Sequence, residues 1–156
     1  MIKLCRVDHR LLHGQVAFSW ASALDIDCIL IANDNVVNDE LRKTTMKLAK
    51  PNGIKLVIKN IKDSIEAINN GVTDKYKLFI VVESIKDAYD LILGINYNKT
   101  LNLGGTKATN ETINISKAMN VTEDEIKLLK ELVEKGVDVS IQMVPEDSPV
   151  PVNKVI

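Results

Sequence analysis

The chain has 156 residues, of which 46% are hydrophobic, and its 20 basic and 21 acidic side chains leave a formal net charge of −1. This length and composition are typical of one packed globular domain, spanning residues 1–156, and exclude a largely disordered chain. Because a net charge near zero creates no long-range field, we expect neither nucleic acid nor an anionic membrane as a direct partner.

Short apolar runs alternate along the chain with segments of helical periodicity, a pattern typical of a mostly parallel sheet with helices on both faces. The predicted strands are Ile2–Val7, Asp27–Ala32, Ile54–Ile58, Lys77–Val82, Thr100–Leu103, Thr112–Ser116 and Val137–Val144. The predicted helices are Gln15–Leu24, the segment from Asn38 to Pro51, Ile61–Asn70, Ile85–Leu93 and the segment from Thr122 to Gly136. The proline-rich tail, Pro145–Ile156, is predicted to be neither a helix nor a central strand.

Several features predict a cytoplasmic protein. Met1–Leu4 enters a strand at once and lacks the basic and apolar regions of a signal peptide. No apolar run approaches the roughly 20 residues that cross a bilayer, so we expect membrane association through partners only. Cys5 and Cys28 lack CxxC spacing and are predicted to be buried, reduced thiols.

The junction between the first strand and the first helix carries the richest chemistry. Between Arg6 and His13 it holds two arginines, an aspartate and the only two histidines of the chain. In open α/β folds anions bind where a strand's carboxyl end meets a helix N-terminus, because free N–H groups and the helix dipole attract negative charge there. An imidazole at this point can act as a nucleophile toward phosphorus.

His9 and His13 have two other possible interpretations, a metal site and the capping of backbone carbonyls. A shared metal is disfavoured because the two residues leave a strand rather than share a helix, and no further ligands have suitable spacing. Capping of backbone carbonyls stays open, but two flanking arginines favour an anion, since guanidinium groups bind phosphate oxygens bidentately. Asp8 can pair with an arginine or hold an imidazole N–H, and Gly14 leaves room for a phosphoryl group at the helix start.

Weaker signals follow other strands. Asn102–Gly105 can expose backbone N–H groups to phosphate or form a tight turn that needs positive φ, and no GxGxxG or Walker pattern is present. Ser84 can donate its hydroxyl to phosphate, although its residue type favours a helix N-cap. Asn33–Asn35 either forms a turn or lies at the rim of the crevice at the carboxyl ends of the strands. On the first helix, Trp20 is predicted to lie in the core and Phe18 to face a partner.

The segment Arg6–Val16, followed by Trp20, strongly resembles the signature of the IIB component of the mannose/fructose/sorbose class of bacterial phosphotransferase systems. The resemblance continues in Asn33–Asp34, Asn38–Lys43, the helix end Ala49–Pro51 and Asn102–Gly105, in that order, and so spans essentially the whole chain. It implies a single EIIB domain with a mixed sheet. We therefore expect an α/β open sheet that is mostly parallel with an antiparallel edge strand.

The resemblance also implies an activity. In that family the histidine of an R-L-I-H-G-Q-V-type motif accepts a phosphoryl group on Nδ1 from the phosphohistidine of IIA and passes it to a sugar arriving through IIC/IID. That histidine corresponds to His13, Arg10 to the arginine that holds the phosphoryl oxygens, and Asp8 to the acidic residue. His9 stands where many relatives have a second aspartate, so it is a rival phosphorylation site that can also tune His13.

The remaining expectations concern supporting groups and rival functions. We expect no metal and no cofactor, because the phosphoryl group is carried covalently on histidine. The residues expected to bind phosphate or support the site are Arg6, His9, Gly14 and Ser84. The rival functions are a non-catalytic regulatory module of the same fold and a metal-dependent hydrolase or nucleotide-binding protein. The sugar cannot be read from the sequence, and self-association is only weakly expected from the relatives.

Overall fold

The computed structural model describes residues 1–97 and 99–156, in which short strands alternate with helices. The strands are β1 (Ile2–Asp8), β2 (Cys28–Ala32), β3 (Lys55–Lys59), β4 (Leu78–Val82), β5 (Thr100–Gly105), β6 (Ile113–Ser116), β7 (Met119–Val121), β8 (Asp138–Ile141) and β9 (Val150–Pro151). The α-helices are α1 (Gly14–Ala23), α2 (Glu40–Ala49), α3 (Ile61–Asn69), α4 (Ile85–Gly94) and α5 (Glu123–Glu134).

Seven strands form one open sheet in the order β3-β2-β4-β1-β5-β8-β9. All neighbouring pairs are parallel except β8 and β9, which are antiparallel, while β6 and β7 form a separate antiparallel ribbon. The expectation of a mostly parallel α/β sheet with an antiparallel edge strand is therefore confirmed. That edge strand is β9, which lies in the proline-rich tail, because an edge position tolerates a residue without an N–H group.

Helices cover both faces of the sheet. On one face α1 and α2 contribute Ala17, Trp20, Ala21 and Met46 to the core. On the other face α3, α4 and α5 bury residues that include Ile61, Leu91 and Leu129. All five residues of β2 and of β4 are buried, which explains why these strands have continuous apolar sequences.

The helices α2, α3, α4 and α5 each begin at a residue whose side chain caps the helix. The side chains of Asp39, Asn60, Ser84 and Thr122 each accept a hydrogen bond from a backbone N–H in the first turn of the helix that follows. Thr122 and Glu125 form the capping box that their spacing predicts. The first helix differs, because its N-cap is His13, whose side chain makes no capping bond. That imidazole is therefore free for another use.

Several predicted boundaries were wrong. The strand β5 continues through Gly104 and Gly105, neither of which has positive φ, so these glycines do not form the predicted turn. The strand β8 ends at Ile141 rather than Val144, because the side chain of Gln142 bonds the carbonyls of Pro145 and Asp147 and closes a turn. The ribbon strand β7 was not predicted, nor was the 3-10 turn Val152–Lys154, whose first residue is buried against the core.

The two cysteines, Cys5 and Cys28, are buried and free, as predicted. Burial raises the pKa of the Cys5 thiol to about 12, so this residue remains a neutral thiol. No helix in the described part of the chain has the length and apolar character needed to span a bilayer.

Candidate functional site

The loop between β1 and α1 lies at the carboxyl end of the sheet, with β4 and β5 on either side of β1. Its turn is organised by Asp8, whose carbonyl accepts a hydrogen bond from Leu11 N at 2.9 Å and whose carboxylate accepts one from Arg10 N at 3.0 Å. Leu11 has a φ of 58°, which is costly for a branched side chain. Burial of Leu11 and Leu12 in the core offsets this strain and fixes the loop on the sheet.

His13 is placed at the start of α1 by this loop. Its backbone is extended, with φ −145° and ψ 132°, and the next residue, Gly14, has a φ of +28° that L side chains rarely adopt. A Cβ on Gly14 would have no atom within 4 Å, so there is space for a side chain at this position. Glycine is favoured here because of the positive φ. His13 is thus the N-cap residue of α1, where the N–H groups of the first turn have no partner within the helix.

The side chains of His13 and Asp8 are directly bonded. Nε2 of His13 lies 3.1 Å from Oδ2 of Asp8, which is 1% exposed, whereas the His13 side chain is 26% exposed. Burial opposes ionisation of Asp8, but hydrogen bonds from His13 and Arg10 and the charge of Arg6 outweigh it and hold the pKa of Asp8 well below its usual range. An ionised carboxylate only accepts hydrogen bonds, so in the neutral imidazole Nε2 carries the proton and Nδ1 presents its lone pair.

Two arginines complete the charge of this cluster, which comprises Arg6, Asp8, Arg10 and His13. Arg10 donates from Nε to Oδ1 of Asp8 at 3.2 Å and from a terminal nitrogen to Oδ2 at 3.4 Å, and 45% of its side chain is exposed. Arg6 bonds Oδ2 of the same carboxylate at 3.2 Å but is only 2% exposed. Arg10 can therefore reach an incoming anion, whereas Arg6 is enclosed by protein.

Two predicted site residues other than Gly14 lie outside this cluster. Ser84 Oγ accepts a hydrogen bond from Asp87 N at 3.1 Å as the N-cap of α4. His9 lies in the same loop, but its Nδ1 is buried beside Gly105 and has no hydrogen-bond partner among the described residues. Within residues 1–97 and 99–156, no hydrogen bond connects either side chain to His13, Asp8 or the two arginines.

The structure adds residues that sequence reasoning missed as side-chain participants. Asn102 accepts a hydrogen bond from Arg6 at 2.6 Å, and the carbonyl of Gln142 accepts one from the same guanidinium at 3.0 Å. Trp20 lies with its ring centroid 5.6 Å from Arg6 Cζ. The available signal in the sequence was Asn102 itself, because it is a polar residue between two leucines in a strand that is buried after its first residue. A buried polar side chain needs a hydrogen-bond partner.

The described residues offer no group of three or more histidine, cysteine, aspartate or glutamate side chains placed to hold a metal ion. The cluster instead combines an imidazole that Asp8 holds through Nε2, a half-exposed guanidinium and the N-terminus of a ten-residue helix. Such a set can bind a phosphoryl group covalently and stabilise its oxygens.

Comparison with known proteins gives one consistent result. A sequence model described as the PTS system sorbose subfamily IIB component matches residues 2–156. The sorbose-specific EIIB component of Lacticaseibacillus casei is 33% identical over 94% of this chain and 90% of its own length. The mannose-specific EIIAB component of Escherichia coli K12 is 26% identical over 94% of this chain, which corresponds to 46% of that longer protein.

A solved structure of a related protein has the same fold as this chain. The IIBSor domain of the sorbose permease from Klebsiella pneumoniae superposes with a TM-score of 0.93 at 28% identity and covers 99% of this chain and 94% of that domain. Sequence and fold therefore agree over at least nine-tenths of this chain, of the Lacticaseibacillus casei protein and of the Klebsiella pneumoniae domain. The chain belongs to the sorbose subfamily of phosphotransferase-system IIB components, which take part in sugar transport and phosphorylation.

Proposed function

We propose that this protein is a cytoplasmic phosphocarrier that accepts a phosphoryl group from phospho-IIA on Nδ1 of His13 and transfers it to a sugar imported through IIC/IID. The observation that carries this proposal is the 3.1 Å bond between Nε2 of His13 and the ionised Asp8. This bond leaves Nδ1 as the nitrogen with a lone pair, on a side chain that is partly exposed.

In the first transfer, the Nδ1 lone pair attacks phosphorus, and the N–P bond to the histidine of IIA breaks as the new N–P bond forms. Bond formation places positive charge on the His13 ring, which the Asp8 carboxylate stabilises through Nε2–H. Arg10 and the free N–H groups at the start of α1 stabilise the equatorial oxygens. These groups supply positioning and charge, so the step needs no metal.

In the second transfer, a sugar hydroxyl oxygen attacks the phosphorus on His13. The Nδ1–P bond breaks, the O–P bond forms, and the hydroxyl proton is released. The bonding electrons return to Nδ1, so His13 regains the tautomer that Asp8 stabilises. The exposed position of Arg10 lets its guanidinium follow the phosphoryl group in both transfers.

The partners follow from the relatives. The Escherichia coli relative bears the name EIIAB, so a IIA and a IIB component are combined in one protein there, which supports a IIA protein as the donor for this chain. The relatives' names specify different sugars, sorbose and mannose, so the sugar is to be determined by experiment. Contact with the IIC/IID permease is the only membrane association that we propose.

The test is phosphorylation in a reconstituted system of phosphoenolpyruvate, enzyme I, HPr and a IIA protein that is shown to accept phosphate. Intact-mass and peptide mass spectrometry at alkaline pH, where phosphohistidine survives, should find one phosphoryl group on the peptide that contains His13. The group should be absent from His13→Ala and present on His9→Ala, which provides a control four residues away. A phosphoryl group that persists in His13→Ala would assign the carrier role to His9.

A second outcome separates this proposal from its rival. If a verified IIA transfers nothing to the wild-type protein, the same fold serves as a non-catalytic regulatory module.

A further inference from the structure

Arg6 is the buried arginine of the site, and protein groups surround its guanidinium. Its guanidinium donates to Asp8 Oδ2 at 3.2 Å, to Asn102 Oδ1 at 2.6 Å and to the Gln142 carbonyl at 3.0 Å. With 2% of its side chain exposed, it has no open path to a phosphoryl group on His13. Whatever Arg6 contributes to the reaction must therefore pass through Asp8.

The surroundings of Arg6 hold it in one place. The Trp20 ring packs against the guanidinium with its centroid 5.6 Å from Cζ. Gly104 lies so close that a Cβ at this position would overlap the guanidinium. This overlap explains why a glycine occupies a strand residue whose φ is not positive. The guanidinium cannot move aside without losing its buried hydrogen bonds.

The same contacts connect distant parts of the chain to Asp8. The Gln142 carbonyl also accepts a hydrogen bond from Asn102 Nδ2 at 3.0 Å, and Trp20 Nε1 donates to the Met143 carbonyl at 3.1 Å. The segment after β8 is thereby fixed to β1, β5 and α1 around one guanidinium. The Arg6 guanidinium is therefore surrounded by residues of β5 and of the segment after β8, namely Asn102, Gly104 and Gln142.

We propose that Arg6 is a positioning residue for phosphoryl transfer, which holds the Asp8 carboxylate at Nε2 of His13, and that residue 104 is a glycine to leave space for it. This inference rests on the proposed function of His13. It assigns different work to the two arginines of the motif: Arg10 binds the phosphoryl group, and Arg6 fixes the group that selects the tautomer. It also revises the expectation that Arg6 binds phosphate.

The neighbouring glycines provide a matched pair of variants. Gly104→Ala places a methyl group where the Arg6 guanidinium lies, whereas Gly105→Ala meets its nearest neighbours at 3.7 Å, an ordinary contact distance. Both glycines belong to β5 and neither has positive φ, so the two substitutions differ mainly in their effect on Arg6. Arg6→Lys is a third variant, since an ammonium keeps the charge but lacks the planar fork that reaches Asp8 and Asn102 together.

The first readout is the tautomer of His13 in the unphosphorylated protein. With ¹⁵N-labelled histidine, long-range ¹H–¹⁵N spectra distinguish the protonated from the unprotonated ring nitrogen, and His9→Gln assigns the signals of the two histidines. Wild type and Gly105→Ala should show protonated Nε2 and unprotonated Nδ1. Gly104→Ala and Arg6→Lys should show a mixture of tautomers. A general loss of stability would not change the tautomer of the folded molecules.

The second readout is the rate of phosphoryl acceptance from phospho-IIA. A catalytic group displaced by about 1 Å loses about 100-fold in rate, so a loss of this order is expected for Gly104→Ala, against less than about twofold for Gly105→Ala. If Gly104→Ala fails to fold, Arg6→Lys decides. A folded Gly104→Ala or Arg6→Lys protein with the wild-type tautomer and rate would overturn the proposal. Because the spectra need no donor, they decide this question even where IIA transfers nothing.

Discussion

The two ends of the parallel strands differ in what they bury. At the carboxyl end, Arg6, Asp8, Asn33 and Asn102 are buried polar residues, and the described structure gives each of them hydrogen-bond partners. At the amino end lies a cavity of about 240 Å³ with apolar walls that include Leu30, Val57 and Leu78. The groups that can perform chemistry do not line this cavity and are at the other end.

This comparison teaches that the candidate site of this protein is recognised by its buried charged groups rather than by the shape of a cavity. The lysines around the amino-end cavity, Lys55 and Lys75, are exposed and lie over the ring of Tyr76, where water solvates them. At the carboxyl end Arg6 and Asp8 are out of water, so the fold must supply their partners. Substitutions at the two ends of the strands test this difference.

The largest effect is expected from Asp8→Asn. An amide leaves the buried Arg6 without its counter-charge, and removing one partner of a buried ion pair typically costs about 3–5 kcal/mol. Urea denaturation should show a loss of that size in the free energy of unfolding. The matched control is Asp90→Asn, which removes an exposed pair with Lys86 and should cost less than about 1 kcal/mol. Equal losses in the two variants would mean that burial does not distinguish these carboxylates.

The same carboxylate predicts a pH dependence of stability. The pKa of Asp8 is lower in the folded protein than in the unfolded chain, so the unfolded chain binds its proton first as the pH falls. The stabilisation is present above about pH 4, the ordinary pKa of aspartate, and is lost progressively below it. The difference in unfolding free energy between wild type and Asp8→Asn should therefore shrink from pH 5 to pH 2, as measured by denaturation at each pH. A difference that grows on acidification would contradict the direction of the shift.

A smaller effect is expected on helix α1, where two aromatic residues have opposite environments. Trp20→Phe removes the buried hydrogen bond to the Met143 carbonyl and should lower the free energy of unfolding by about 1–3 kcal/mol. Phe18 is 55% exposed, so Phe18→Leu should change it by less than about 0.5 kcal/mol. Thermal and urea denaturation of both variants measures the contrast. A larger loss for Phe18→Leu would show that this surface is covered in solution.

Ser84→Ala tests a residue that lies at the carboxyl end but outside the cluster of Arg6, Asp8, Arg10 and His13. Loss of the N-cap of α4 should cost about 1 kcal/mol of stability. Because the hydroxyl accepts a bond from Asp87 N, phosphoryl acceptance should remain within about twofold of wild type. A large kinetic loss with unchanged stability would place Ser84 in contact with phosphate.

The smallest effect is expected at the amino end. Lys55→Ala removes a lysine that bonds the Tyr76 hydroxyl at 3.0 Å, at the opposite end of the strands from His13. The rate of phosphoryl acceptance should stay within about twofold of wild type, because this charge is exposed and screened by solvent. A strong loss of rate would show that the two ends of the sheet communicate.

The sequence was informative where one local pattern decides the structure. The caps at Ser84 and Thr122 were correct because the first turn of a helix needs an acceptor for its free N–H groups. It was misleading at Gly104, where the residue type suggests a turn but β5 continues, with a shift in its register against β1, and places this residue against a guanidinium. A glycine required by a neighbour from another strand leaves no local signal.

The sequence by itself determined the α/β alternation, the loop that joins β1 to α1 and the resemblance to IIB components, because hydrophobic period and motif spacing are properties of neighbouring residues. The tertiary structure alone decided which nitrogen of His13 bonds Asp8, that Arg6 is enclosed while Arg10 is exposed, and that Asn102 and the Gln142 carbonyl bond Arg6. The reason is that tautomer and burial depend on contacts between residues as far apart as Arg6 and Gln142, which only the strand order β1-β5-β8 brings together.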